Sequence, residues 1–260
     1  MLEFWSPGAY AVDVSPRALV SILAAAEGSL GVETGGILLG RYTIHGEAAV
    51  VEEASGPPKD SRRGPRTFWR GVAGVRERLE NLWEDRGGYY LGEWHYHPSS
   101  PAVPSGCDLN EMAKVAGSPG YSCPEPLLLI VGGDKGLGWE FSMRVFEDSD
   151  GEVVLARRYS RASLQDRLQA RPCWLSSRTV ADTVGVTTKT VRRWRRGINS
   201  PTPCNRQWIE FLLDAVDALE TSLYWSSAPA RAPQVRAQLL RLIRDKEPQD
   251  ALRLLEDRLM

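Results

Sequence analysis

Tyr89-Tyr90-Leu91-Gly92-Glu93-Trp94-His95-Tyr96-His97-Pro98 is the stretch whose reading decides the fold. It is rich in aromatic residues and ends in a proline, so it reads as a strand, in which residues two apart share a face. His95 and His97 then point the same way. The Pro/Ser-rich run from Ser99 to Gly106 turns the chain back and delivers Asp108 at the start of a short helix, Asp108 to Val115. Two neutral imidazoles and a carboxylate are ligands that Zn²⁺ accepts, and three protein ligands leave a fourth tetrahedral position for water. The expectation is one catalytic zinc per chain, held by His95, His97 and Asp108. The chain has three histidines, and two of them stand here.

The spacing of His95-x-His97, seven residues, Ser105, x, x, Asp108 resembles the JAMM motif of the JAB/MPN metalloisopeptidases. Glu33-Thr34-Gly35-Gly36-Ile37-Leu38-Leu39-Gly40 is similar to that family's glutamate followed by a Gly-rich first strand, and Gly92-Glu93-Trp94-His95 to its bacterial branch. The resemblance covers about residues 4 to 147. It implies that Glu33 holds and deprotonates the attacking water, and that Ser105 hydrogen-bonds the developing oxyanion. It also implies a layered, cytidine-deaminase-like mixed sheet. The implied reaction is hydrolysis of a peptide or isopeptide bond after the glycine-ending tail of a ubiquitin-like protein or its conjugates. Bacterial enzymes of this kind accompany ubiquitin-like conjugation operons, some of them antiphage systems.

Glu93 shares the strand face of the histidines and is a rival for the general base. At about 3.4 Å of rise per residue it lies roughly 13 Å along the strand from His97. Glu33, from another element, is the better placed of the two, and Glu93 reads as a polar residue on a partly solvated strand. Tyr96 and Cys107 stand where the family often has small hydroxyl residues. Neither is a ligand position, and Tyr96 is expected to point into the core.

The 260 residues, 42% of them hydrophobic, suffice for one large domain or two ordinary ones, and the net charge is −1. No apolar run reaches the length of a membrane span, and the N-terminus lacks a basic region followed by a hydrophobic core. Cytoplasmic residence with no membrane partner is the expectation. Cys107, Cys123, Cys173 and Cys204 form no Cys-x-x-Cys pair and are expected to be free thiols.

Outward from the motif, Ser15 to Glu27 reads as a helix capped by Ser15 with Pro16 at its first position. Strands are expected at Gly36–Thr43 and Glu47–Ala54, and a polar, basic loop at Pro57–Arg66. Val72 to Asp85 has helical periodicity through Val72, Val75, Leu79, Leu82 and Trp83. Pro126 to Val131 reads as a buried strand and Gly138 to Phe146 as an outer one. Strands flanked by helices indicate a layered α/β domain. Residues 147 to 171 turn charged and irregular, with a turn at Asp148 to Gly151. The expected organisation is a JAB/MPN domain over 1–158, a linker over 159–172, a helix-turn-helix domain over 173–225 and a helical segment over 226–260.

Between Arg171 and Arg206 there are eight Lys/Arg and one Asp. Ala181, Gly185 and Val191 fall at helix-turn-helix spacing, with Val180, Val184, Val186 and Trp194 at buried positions. Thr187 caps a second helix, Thr188 to Arg196, whose outward face carries Thr188, Lys189, Arg192, Arg193 and Arg196. Such a face suits the major groove of duplex DNA. The segment resembles the DNA-binding unit of phage-repressor-like and antitoxin-like regulators. Arg206 to Trp225, Ala232 to Arg244 and Pro248 to Leu259 read as amphipathic helices whose leucines form core or a dimer seam, and a homodimer is expected. Two rivals to deconjugation follow. One is a transcription regulator whose metallopeptidase domain cleaves a repressor or this chain itself; the other is an inert binding module, against which the intact ligand set argues.

Overall fold

The computed structural model describes residues 2–43, 48–136, 138–147, 151–158, 163–225 and 232–259. Residues 148–150 of the turn expected at Asp148 to Gly151, the first residue of the strand expected at Glu47, residues 159–162 of the expected linker and 226–231 and 260 of the expected C-terminal segment lie outside them. Two compact units divide the chain, one of residues 1–5 and 9–157, the other of 6–8 and 158–260.

The first unit contains β1 (Leu2–Trp5), β2 (Ala11–Val14), α1 (Pro16–Glu27), β3 (Thr34–Tyr42), β4 (Ala48–Ala54), β5 (Arg62–Gly64), β6 (Thr67–Trp69), α2 (Val75–Arg86), β7 (Tyr89–Pro98), α3 (Gly106–Ala116), β8 (Leu127–Asp134), β9 (Gly138–Glu147) and β10 (Gly151–Arg157). Eight strands are joined in the order β1-β10-β9-β8-β7-β3-β4-β2, and the β1–β2 pairing closes them into a barrel. The mixed sheet expected from the sequence is present, and it closes into a barrel. Closure comes from β1, β2 and β10, whose short runs gave no periodic signal. The mixed α/β character stands, and β7 lies at its centre, antiparallel to β3 and parallel to β8.

The continuous apolar runs divide their side chains between two clusters on opposite faces. Leu38, Trp94, Tyr96, Leu129 and Val131 pack with Ala18, Ile22 and Ala26 of α1. Ile37, Leu39, Leu128 and Ile130 pack with Leu82 of α2 and with Met112, Val115 and Ala116 of α3. Trp94 is fully buried and its Nε1 donates to Ser55 O at 2.9 Å. Alternation therefore turns Glu93, His95 and His97 toward the α3 side. On α2 only part of the expected apolar face is inside: Leu82 is buried, whereas Val72 precedes the helix and is exposed, and exposed Trp83 lies edge-on to Tyr89.

The second unit contains α4 (Leu164–Ala170), α5 (Ser177–Val184), α6 (Thr188–Arg195), α7 (Pro203–Trp225), α8 (Ala232–Arg244) and α9 (Pro248–Leu259). The stretch expected as linker thus holds a helix, with Leu168 buried and Arg167 bridging Asp214 and Asp217 at 2.8 and 2.9 Å. Ser176 caps α5 and Thr187 caps α6, each through its side-chain oxygen. Leu239, Leu242, Ile243, Leu252, Leu254 and Leu255 are buried within this one chain as core.

Candidate metal centre

The centre is assembled where β3 and β7 pair. Gly35 lies opposite His95, and a Cβ at Gly35 would stand 2.3 Å from Trp94 O, 2.6 Å from Phe68 Cε1 and 3.0 Å from His95 Cδ2. Glycine is needed because the imidazole and the Phe68 ring close over this point. Phe68 meets His95 edge-on, with ring centroids 5.2 Å apart at 84°. On the other side the loop after Pro98 returns across β8 at Gly132, where a Cβ would lie 2.5 Å from Ala102 N and from Ser100 O.

That return places Asp108 within the first turn of α3, which starts two residues earlier than its sequence suggests. The helix begins at Gly106 because Ser105 and Asp108 form a reciprocal capping box. Asp108 Oδ2 accepts from Ser105 N and from Ser105 Oγ, both at 2.7 Å. The Ser105 hydroxyl is thus spent on holding the carboxylate.

His95 Nδ1 lies 2.6 Å from Asp108 Oδ1, and His97 Nε2 lies 3.5 Å from Asp108 Oδ2. One ligand atom from each of the three residues falls within 4.8 Å of the others, and all three residues are buried. Tetrahedral Zn²⁺ with bonds of about 2.0–2.2 Å sets its ligand atoms about 3.4 Å apart, so this donor set fits the ion in spacing and in chemistry. Among the described residues no other such cluster is found. Burial raises the Asp108 carboxyl, but hydrogen bonds from His95 and His97 hold it far below the usual carboxylate range. Burial pulls the His95 imidazole down, yet the bond to Asp108 and the charge of Glu93 lift it to about 9.

Glu33 immediately precedes β3. Its backbone N–H donates to Gly64 O at 2.9 Å and its carbonyl accepts from Arg63 Nε at 3.3 Å. The segment expected as a basic loop is therefore in part a hairpin, β5–β6, which clamps the Glu33 backbone. The half-buried Glu33 carboxyl is raised by burial and by Asp108, while His97 and His95 oppose that rise. A carboxyl so perturbed beside the three donors is suited to take and return a proton.

Glu93 is not partly solvated as expected. It is 7% exposed, and its Oε1 accepts from Arg70 Nε at 2.8 Å and from Tyr90 OH at 3.3 Å. Sequence reasoning missed Arg63, Phe68 and Arg70 altogether, since a loop rich in arginine reads as a solvated surface. Tyr96 does point into the core, its hydroxyl on Gly133 O at 3.1 Å, and Cys107 is an exposed free thiol.

In the second unit, Lys189, Arg192, Arg193 and Arg196 are exposed on or just after α6, and Thr188 is half-buried. Val191 and Trp194 face inward. Arg195, passed over in the sequence, is exposed as well; with Arg178, Arg192 and Arg196 it lines a groove at the start of α5.

The first unit thus carries a buried His-x-His strand faced by a carboxylate from a helix N-terminus. Residues 15–145 match the family of prokaryotic homologs of the JAB domain, and the chain belongs to that family. A protein of Enterobacter hormaechei subsp. hoffmannii, described as a CD-NTase/cGAS isopeptidase, is 37% identical over 155 residues, which are 59% of this chain and 86% of the relative. Proteins of the same description from Escherichia coli and Pseudomonas aeruginosa are 29% and 34% identical. The Escherichia coli match covers 40% of this chain and 63% of the relative. The Pseudomonas aeruginosa match covers 32% and 53%.

Proposed function

We propose that the chain is a zinc-dependent isopeptidase that cleaves after the C-terminal tail of a ubiquitin-like protein, in deconjugation or precursor processing. The observation that carries the reading is the approach of His95, His97 and Asp108 within 4.8 Å, beside the Glu33 carboxyl. His95, His97 and Asp108 would hold the ion. When bound, zinc lowers the pKa of water toward neutrality and polarises a scissile carbonyl. Glu33 would orient the attacking water, take its proton and pass it to the leaving amine. Ser105 fixes the Asp108 carboxylate and donates toward the oxyanion only by giving up that bond. Phe68 and Gly35 keep the His95 ring in its plane.

The description of the relatives supports a conjugated CD-NTase as the partner. The reading includes a cytoplasmic location and a role in a ubiquitin-like or antiphage operon. Its test is cleavage of a CD-NTase carrying an isopeptide-linked or C-terminally extended partner, followed by mass spectrometry. Wild type is expected to carry about one zinc per chain and to cleave; His97→Ala loses both. Near-stoichiometric zinc in a His95→Ala/His97→Ala double variant overturns the site.

A second reading concerns residues 173–225, which we propose act as a helix-turn-helix binding duplex DNA as a homodimer. The observation favouring it is the α5–α6 pair joined through Gly185 in the left-handed conformation, with exposed basic residues on α6.

A further inference from the structure

Glu93 lies outside the proposed ligand set and outside the proton path, yet it is buried beside the first histidine. The two nitrogens of the His95 ring face two different carboxylates. Nδ1 lies 2.6 Å from Asp108 Oδ1, on the side of His97. Nε2 is buried without a hydrogen-bond partner, and Glu93 Oε2 lies 3.7 Å from it.

The carboxylate cannot swing away. Its Oε1 is held by Arg70 Nε at 2.8 Å and Tyr90 OH at 3.3 Å, and Arg70 is itself tied to Gly71 O at 3.0 Å and Tyr121 OH at 3.2 Å. The side chains of Arg70 and Glu93 are 8% and 10% exposed. A metal-ligating histidine nearly always donates its other ring N–H to a carboxylate, carbonyl or water, which fixes the tautomer and the ring. We infer that Glu93, locked by Arg70, is a positioning residue that accepts the His95 Nε2 proton and so presents Nδ1 to the metal.

The two distances around the ring complement each other. An ion seated there would set its ligand atoms about 3.4 Å apart, against 2.6 Å between Nδ1 and Asp108 Oδ1, and the 3.7 Å gap between Nε2 and Glu93 Oε2 leaves the ring room to close on Glu93. Rotation in another direction is opposed by Phe68 and by the closeness of Gly35.

This inference rests on the metal-centre reading, and its test separates the two. Zinc affinity is measured by chelator competition for wild type, His97→Ala, Glu93→Ala and the double variant Arg70→Met/Glu93→Met. Stability of each metal-free form is followed by thermal unfolding. Glu93→Ala should bind zinc about 10- to 100-fold more weakly, as for the loss of a ligand's outer hydrogen-bond partner. That variant also strands a buried guanidinium, so its loss of affinity is read together with the double variant's. The double variant removes both charges, which is often neutral for folding. It should recover metal-free stability and still bind zinc about 10- to 100-fold more weakly. In ¹⁵N-labelled zinc-loaded wild type, His95 should show a metal-bound Nδ1 and a slowly exchanging Nε2 proton. Wild-type affinity in the double variant, or a metal-bound Nε2, overturns the positioning role while leaving the metal centre standing. No zinc bound by wild type overturns both.

Discussion

The face of β7 and the face of α6 both display charge, and they handle it in opposite ways. On β7 each functional group is buried against a polar partner: Glu93 on Arg70 at 2.8 Å, His95 on Asp108 at 2.6 Å, His97 on Asp108 at 3.5 Å. On α6 the arginines are exposed, with only Val191 and Trp194 inside. Burying an ion is tolerated only when its partners are in place, so the β7 cluster commits the fold to a definite chemistry. A solvated basic face makes no such commitment. Changes at β7 should therefore act in large steps and changes at α6 by degrees.

The largest step is expected at Glu33, to which the proposed function gives proton transfer and no part in holding the metal. Glu33→Ala should retain zinc and lower turnover by about 10²- to 10⁴-fold, the usual effect of losing a general base. If Glu93→Ala abolishes turnover with zinc retained and Glu33→Ala does not, the proton path runs elsewhere.

Next comes the pH response of the metal-free protein. His95 is lifted to about 9 in the folded chain, above the value of about 6.5 expected when unfolded. Its contribution is fully present below about pH 6.5 and is lost as the pH rises through 9. Denaturation in a chelator should show stability falling by on the order of 2–3 kcal/mol between pH 6.5 and 9.5. Zinc-loaded protein, whose ring is neutral throughout, should lack this fall. An identical profile with and without zinc would remove His95 from the ligand set.

The smallest step belongs to α6. If its arginines meet phosphates, log affinity for duplex DNA falls with log salt, at about −0.9 per phosphate contacted. Arg192→Ala/Arg193→Ala should flatten that slope by about two contacts and leave peptide cleavage unchanged. An anisotropy titration showing no salt-sensitive binding at micromolar protein would make the C-terminal unit a protein-interaction bundle.

The same contrast explains what could be read in advance. The cluster of His95, His97 and Asp108 was legible because strand alternation and a tight return bring them together within 14 residues of chain. Glu33 became legible through the family resemblance, since nothing local ties it to β7. The part played by Glu93 was hidden because its partner, Arg70, follows a hairpin that composition disguises as solvated loop. Barrel closure was hidden for a similar reason. It needs β1 to pair with β10 as well as with β2, Phe4 opposite Arg157 and Trp5 opposite Ala156, contacts between the two ends of the unit that no local period announces. The α8 and α9 boundaries, by contrast, follow from prolines, charged breaks and helical periodicity alone.

The capping box of α3 sets which insertions this chain can survive. Asp108 is at once the helix's third residue and the carboxylate facing both histidines, and Ser105 grips it from the cap. Between 99 and 104 the exposed positions Ser99 and Ser100 and the half-buried Pro101 and Val103 have more room to change than buried Ala102 and Pro104. One residue added between Ser105 and Asp108 would unseat the carboxylate and unwind the first turn together. Drift in this loop is therefore confined to the stretch before Ser105, and the spacing after it is fixed by the geometry of a single helical turn.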